Sequence, residues 1–292
     1  MKIAIISGDN KLGWPGQRLI REIEQAGHKP LLIKLDQISA LISEEHKFYF
    51  NNDSLTFDGG ILRGLGSAST DEITFRISLL EHINFDKKIL INDPYAFRRA
   101  KDKYASLLLL SKNKIPVPKT FVTENAEQAY RIAEQWGNVV IKPLIGSRGL
   151  GPIKSDNPDL SYRIIKTLKR LNQVIYIQEY VQKPGRDIRV FVIGGRVIGG
   201  MYRIAPPGEW KTNIAVGAKA RKIVLNSELQ ELSVKTANIL GLDYTGIDIL
   251  EAGDGYKVVE ANAAPSWSGL DKALKINTAK LIIEHLLAKI HG

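Results

Sequence analysis

Two carboxylates and an amide in the stretch TGIDILEAGDGYKVVEAN, residues 245–262, offer the first chemistry in this chain. Apolar-rich segments flank Gly253–Asp254–Gly255, which reads as a three-residue hairpin loop. With Ala252 paired to Tyr256, Asp248 faces Glu260 across the ladder, where opposed Cβ atoms lie about 4.5–5.5 Å apart. Asn262, two residues on, points to the same face. Carboxylates that close repel unless a cation lies between them. Mg²⁺ takes one or two carboxylates and completes its octahedron with phosphate and water oxygens. The same spacing also suits two acids on a solvated sheet face, so at this point both readings stand.

Lys142 ends an apolar strand in VVIKPLIGSRGLG, and a lysine there is costly to bury without an anion. The loop that follows, with Gly146, Ser147, Gly149 and Gly151, can bring backbone N–H groups close to phosphate. It is not a P-loop, because no G-K-[ST] follows, and a glycine-rich surface turn is the plainer reading. In IQEYVQKPGRDIRVFVIGGRVIGGMYRIAP, Glu179 and Tyr180 suit a hinge that hydrogen-bonds a nucleobase or ribose. Asp187 and Arg189 share a strand face, an arrangement with a structural reading as well as a catalytic one. A tight turn at Gly194–Gly195 would put Arg203 on the face opposite Arg189, unless a bulge or longer loop intervenes. The histidines at 28, 46, 82, 285 and 291 show no H-x-x-x-H spacing, and no serine lies in a G-x-S-x-G context.

These residues need elements to hold them. Over residues 1–95, strands at Lys2–Ser7, Lys29–Leu35, Gly59–Arg63 and Lys88–Asn92 alternate with helices at Pro15–Ala26 and Glu72–His82, which predicts a parallel α/β sheet. The turn GDNKLG lacks the G-x-G-x-x-G spacing of a dinucleotide site. Pro94 breaks the pattern and marks a boundary, after which a helix over Lys101–Asn113 is stopped by IPVP. A helix at Glu127–Trp136, a strand at Asn138–Lys142, a helix near Leu160–Leu171 and a strand at Val174–Glu179 follow. From Arg186 the chain reads as mostly hairpins, and a last helix spans Ile276–Ile290.

Composition narrows the function classes. With no cysteine, disulfides, thiolate metal sites and a cysteine nucleophile are excluded. No apolar run approaches the ~20 residues of a membrane span, and Met1 leads directly into a strand, so a cytoplasmic protein with no membrane partner is expected. The net charge of +10 is spread along the chain without a basic block, which suits a solvated basic surface first and acidic small molecules second, with no nucleic-acid partner expected.

Taken in order, VVIKPLIGSRGLG, IQEY, GRDIRVFVIGGRVIGGMYR, KTNIAVGA, GIDIL and VEANAAPSWSGL resemble the ATP-grasp superfamily, specifically the RimK-type α-L-glutamate ligases. The resemblance runs from Arg98 to Asn277. It implies an ATP-grasp fold, α/β with an α+β C-terminal half: an N-terminal α/β domain (1–95), a central lid domain (96–180) and a C-terminal domain (181–292). By the same resemblance, Lys103 and Lys142 contact adenine or phosphate, Gly146, Ser147, Gly149 and Gly151 form the loop over the phosphates, and Glu179 and Tyr180 meet the adenine edge. Asp187 meets the ribose, and Lys211, Thr212 and Asn213 lie near the triphosphate. Asp248, Glu260 and Asn262 match ligands of Mg²⁺ (or Mn²⁺), with two ions expected, and Arg189 and Arg203 match groups that hold the acceptor carboxylate or acyl-phosphate. The implied partners are ATP, L-glutamate and an acidic carboxylate acceptor, with a homo-oligomeric enzyme expected. NIAVGAKA and NAAPSW depart from the family's usual N-L-x-x-G-G and N-S-S-P patterns. WPGQRLIREIEQAGHKP and GGILRGLGSAST look most like members acting on glutamylated cofactors such as tetrahydromethanopterin. Other acceptors of the family are a protein C-terminus, a deazaflavin coenzyme and an amino-group carrier protein. A regulator that binds nucleotide without catalysis is the reading from another class.

Overall fold

The computed structural model describes residues 1–9, 11–85, 88–144 and 151–292. The first elements are β1 (Lys2–Ser7), α1 (Trp14–Gln25), β2 (Lys29–Lys34), β3 (Ile38–Leu41), β4 (Lys47–Phe50), β5 (Asp53–Ser54), β6 (Gly59–Gly64), α2 (Thr70–Phe85) and β7 (Ile89–Ile91). Strands β2, β1, β6 and β7 form a parallel sheet in that order. Leu19 and Ile23 of α1 cluster with Ile3, Ile5 and Ile61 on one face. Leu79, Leu80 and Ile83 of α2 cluster with Ala4, Ile6 and Leu62 on the other. With both faces covered, β1 and β6 read as unbroken apolar runs. Neighbours are added on one side of β1 and then, through β6, on the other, so the topological switch point falls between β1 and β6. The sheet β3-β4-β5 inserted before β6 carries no marked alternation and was not expected.

Next come α3 (Pro94–Lys101) and α4 (Lys103–Lys112). Pro94 follows the end of β7, as expected, and also opens a helix. Asp93 caps it, accepting from the Tyr95 and Ala96 amides at 3.0 and 3.2 Å, and proline at N1 has no amide to lose. Asp102 repeats the device for α4, so the single expected helix from Lys101 starts a residue pair later, behind its own cap. Then β8 (Thr120–Thr123), α5 (Ala126–Trp136), β9 (Val139–Lys142), β10 (Ile153–Ser155), α6 (Pro158–Arg170) and β11 (Ile175–Glu179) build an antiparallel sheet of order β10-β9-β11-β8. Ala129, Ala133 and Ile165 of its helices pack on Val139, Ile141, Ile175 and Ile177.

The last group is β12 (Arg186–Ile193), β13 (Arg196–Ile204), β14 (Lys219–Lys222), α7 (Ser227–Leu240), β15 (Tyr244–Ala252), β16 (Gly255–Asn262), α8 (Ser268–Leu274) and α9 (Thr278–His291). Its sheet runs β14-β13-β12-β15-β16, all antiparallel. Helix α7 lies within the stretch expected to be hairpins. Asn226 caps it and Gly241, left-handed at φ +70°, closes it. Helix α9 returns to the first sheet, and its Ile282, Ile283 and Leu286 complete the cluster under β1 and α1. No described helix is long and apolar enough to cross a membrane.

Asn92, fully buried at the end of β7, fastens the first sheet to the last. Its Nδ2 donates to the carbonyls of Tyr244 (2.9 Å) and Ala263 (2.7 Å), and its Oδ1 accepts from the Tyr244 amide at 3.0 Å. Truncation leaves three buried backbone groups without partners, each worth about 1–3 kcal/mol. Asn92→Ala is therefore expected to destabilise by about 2–4 kcal/mol in total after local relaxation, read as a lowered melting temperature.

Candidate active site

Four charged side chains meet on one face of the last sheet because the pairing of β12 with β13 slips by one residue. The hairpin β12–β13 closes tightly on Gly194 and Gly195, both with positive φ, and pairs Ile193 with Arg196. Continued unchanged, that register would send Arg203 to the far face. A bulge between Phe191 and Val192 shifts it, so that Asp187 pairs with Arg203 and both share the face of Arg189. The β15–β16 hairpin differs from its expected form in the same way. Its turn has two residues, Gly253 and Asp254, with Ala252 paired to Gly255. A bulge at Val259 then adds the missing residue, and Asp248 pairs with Glu260 as expected.

Across these strands runs a chain of charge. Arg189 grips Asp248 with two bonds, Nε–Oδ1 at 2.6 Å and Nη2–Oδ2 at 2.7 Å. Arg203, 3% exposed, grips Asp187 the same way at 2.7 and 2.6 Å and reaches Asp248 Oδ2 at 2.9 Å. The Thr212 hydroxyl donates to Asp187, and Lys183 Nζ donates to that hydroxyl at 3.1 Å. Burial alone would raise the Asp248 carboxyl, but Arg189 and Arg203 hold it below its ordinary value. Burial likewise works against the Arg203 guanidinium, and Asp248 and Asp187 raise it above its ordinary value.

Glu260 stands beside this neutral quartet. It is half-buried, and among the described residues no hydrogen bond or ion pair engages its carboxylate. Lysines surround it. Lys142, at the end of β9, donates to Gln178 Oε1 at 2.5 Å, and Gln178 is itself fixed by Thr120 at 2.9 Å. Burial lowers the Lys142 ammonium to about 8, against the opposing pull of Glu260. Lys103, at the start of α4, donates to the Leu144 carbonyl at 3.2 Å; burial lowers it too, opposed by Glu260 and Asp102. Lys101 is also lowered by burial, against Glu260, whereas Lys183, likewise lowered by burial, faces Asp187 and Asp248 instead. Asn262 donates through Nδ2 to the Gly246 carbonyl at 3.2 Å, which leaves its amide oxygen as an acceptor.

The donor set suits a hard divalent cation. Glu260 brings a carboxylate, Asn262 an amide oxygen, and Asp248 keeps one of about four lone-pair positions outside its three arginine bonds. The other expected residues fall around this centre. Glu179 accepts from the Lys119 amide at 2.9 Å and lies 3.5 Å from Lys257 Nζ. Tyr180 packs edge-on to Trp210 at 6.3 Å, with Lys154 Nζ 4.1 Å over its ring. Asp187, expected at a ribose, has both oxygens engaged by Arg203 and Thr212. Lys211 lies 5.6 Å from the Trp210 ring, and Asn213 precedes a short helical turn over Ile214–Val216. Gly151 is left-handed at φ +96°, against Pro143. Gly146, Ser147 and Gly149 lie outside the described residues. Gln178, Lys183, Lys154 and Trp210 were not singled out from sequence. For Gln178 a signal existed, since it lies next to Glu179 on an otherwise apolar buried strand.

A domain model described as the RimK-like ATP-grasp domain matches residues 100–286. A tetrahydromethanopterin:alpha-L-glutamate ligase of Methanosarcina acetivorans is 32% identical, over 94% of this chain and 95% of that protein. Its namesake in Methanococcus maripaludis is 33% identical over 98% of each. Among solved structures, the ATP-grasp ligase PsnB, complexed with a minimal precursor, Mg and ADP, superposes with a TM-score of 0.75 at 21% identity, over 99% of this chain and 97% of that one. The chain therefore belongs to the RimK-like ATP-grasp family, enzymes that use ATP to ligate a carboxylate to an amine.

Proposed function

We propose that this ligase joins L-glutamate to an acidic carboxylate acceptor, a glutamylated cofactor such as tetrahydromethanopterin, through an acyl-phosphate. The observation that carries the reading is the gathering of buried lysines around one carboxylate: Lys142, Lys103 and Lys101 beside Glu260. That is the electrostatic complement of a metal-bound triphosphate. The names of the relatives support glutamate as the amine, and their identity over nearly the whole chain supports the acceptor class. In this reading residues 1–95, 96–180 and 181–292 are the three domains, with ATP between the last two.

Each group then has a task. Glu179 and Tyr180 sit at the adenine, and the backbone bond from Lys119 holds Glu179 in place. Lys142, Lys103 and Lys211, with Thr212 and Asn213, meet the phosphates. Glu260 and Asn262, with the free position on Asp248, hold Mg²⁺, which neutralises charge on the transferring phosphoryl group. Arg189 and Arg203 orient the acceptor carboxylate, and Asp187 keeps Arg203 aimed. A carboxylate is a poor electrophile towards an amine, and phosphorylation supplies the leaving group that the glutamate amine displaces.

The deciding experiment is product analysis by mass spectrometry with ATP, Mg²⁺, L-glutamate and a panel of carboxylate acceptors. ADP and phosphate should form only when amine and acceptor are both present; AMP and pyrophosphate would instead mean an adenylating enzyme.

Glu260→Gln keeps the volume and removes a charge from the metal site. Turnover is expected to fall by at least ~10²-fold, with the melting temperature near that of the wild type. Asp254→Asn is the control. Asp254 is an exposed turn residue whose bond to Lys257 is a surface pair, so its loss should leave turnover unchanged. Turnover and melting of both variants across a Mg²⁺ series check the assignment.

Lys142 adds a pH dependence. Because its ammonium is lowered to about 8, much of it is neutral in the free protein above that pH. Phosphate favours the charged form and raises it again, so Mg²⁺·ADP binding near pH 8 should take up a proton, and affinity should fall as pH rises through 8. Calorimetry in two buffers of different ionisation enthalpy measures the uptake, which Lys142→Met should abolish.

A further inference from the structure

Arg63 takes no part in the site described above, yet its surroundings are those of an anion-binding group. It lies one residue from the C-terminal end of β6, beside the switch point between β1 and β6, where open parallel sheets bind ligands. Its Nη1 donates to the Tyr244 hydroxyl at 3.2 Å and its Nη2 to the Pro265 carbonyl at 2.9 Å. The guanidinium stands 5.0 Å over the ring of Trp267, which is fully buried. Tyr244 in turn donates to the Leu62 carbonyl at 2.9 Å, so its hydroxyl is fixed as an acceptor for Arg63. Every partner is neutral. Among the described residues no carboxylate pairs with Arg63, whereas Arg186, Arg189 and Arg203 each grip one with two bonds. A half-buried guanidinium held over an aromatic ring, with no carboxylate bonded to it among the described residues, is preorganised for a carboxylate.

Its place relative to the reaction centre adds to the case. Pro265, which Arg63 binds, and Arg189 both border Gly246: a Cβ there would lie 3.2 Å from Pro265 Cβ and 3.5 Å from Arg189 Cδ. Lys101 senses both sides. Burial lowers its ammonium, Glu260 raises it, and the charges of Lys103 and Arg63 lower it further. The turn that follows Arg63 is rigid. A Cβ on Gly66, at φ +77°, would fall 2.2 Å from the Gly8 carbonyl oxygen, so only glycine lets the two strand ends meet backbone to backbone. Buried Arg76 donates to the Leu65 carbonyl at 2.6 Å and fixes that turn.

We propose that Arg63 is the specificity residue of a substrate subsite at the switch point of the first sheet, where it binds a carboxylate that does not itself react. The proposal rests on the ligase reading, and the carboxylate belongs either to the glutamate or to the acidic acceptor. The test is calorimetric titration of two probes, L-glutamate and the dipeptide L-glutamyl-L-glutamate, into protein loaded with Mg²⁺ and ADP. Arg63→Met should weaken one of them by about tenfold or more while ADP affinity stays within about twofold, and the probe that weakens identifies the source. The wild-type preference for that probe over its amide counterpart should vanish with it, an effect that general loosening of the fold would not produce. If Arg63→Met fails to bind ADP, Arg63→Lys decides, because it keeps a charge over Trp267 but loses the planar fork: weakened probe binding with intact ADP affinity supports the proposal. Unchanged affinity for both probes with ADP binding intact overturns it, and so does a wild-type protein that binds neither. Failure of wild type to bind ADP would count against the ligase reading alone, since the same probes titrated into free wild type and free Arg63→Met still report on Arg63.

Discussion

Asp248 and Arg203 are buried on one sheet face because each is there with the other. Stripping water from either alone would cost several kcal/mol, and removing one member of such a pair typically costs about 3–5 kcal/mol. The dependence propagates: Arg203 needs Asp187 as well, Asp248 needs Arg189, and Asp187 takes a further bond from Thr212. A slip of one residue between β12 and either neighbour would turn half of these groups to the opposite face. The quartet thus contributes less to net stability than to register. The observed pairing, bulged between β12 and β13 and regular between β12 and β15, leaves none of the four charges alone.

Because the quartet is neutral within itself, it does not offset the charges around it. Glu260 is the carboxylate with no arginine, and the lysines at 142, 103 and 183 carry positive charge into low-dielectric surroundings. Such an imbalance is costly in an empty protein and favourable around a polyanion with its metal. Lowered lysine ammonium groups and an unengaged glutamate are two sides of the same electrostatic design. The sheet supplies the fixed geometry, and in the proposed function the ligands would supply the balancing charge.

Much of this was legible in the residues, and the failures share a cause. The strands of the first sheet were readable because its central faces are covered, so that β1 and residues 59–62 of β6 run apolar without a break. The pairing of Asp248 with Glu260 was reached by counting through a three-residue loop, although the protein uses a two-residue turn and a bulge at Val259. The two departures cancel. Whether Arg203 joins Arg189 was left open, because a bulge shows no local signature in GGRVIGGMYR and is selected by contacts from other strands. Pro94 marks the end of the strand pattern correctly, and the helix it opens is legible only when Asp93 is recognised as its cap. Helix α7 was overlooked because its pattern is only moderately amphipathic. Arg63 could not have been found this way: it looks like any charged strand end until Tyr244 and Trp267 are brought to it from more than a hundred and eighty residues away.

Tyr244 shows how the first sheet and the quartet are held in one frame. Its backbone amide and carbonyl bond Asn92 of the first sheet, while its hydroxyl joins the Leu62 carbonyl to Arg63. Four residues further along the same strand lies Asp248, about 13 Å away at the usual strand rise. Both ends of that span are rigid. β15 is paired on both sides, and the Arg63 guanidinium is pinned by three neighbours. A substrate engaging Arg63 would therefore meet the arginine quartet at a distance fixed by a single strand. Selection by the separation of charged groups, as well as by their identity, then follows from the sheet, because neither end can move to accommodate a shorter or longer molecule.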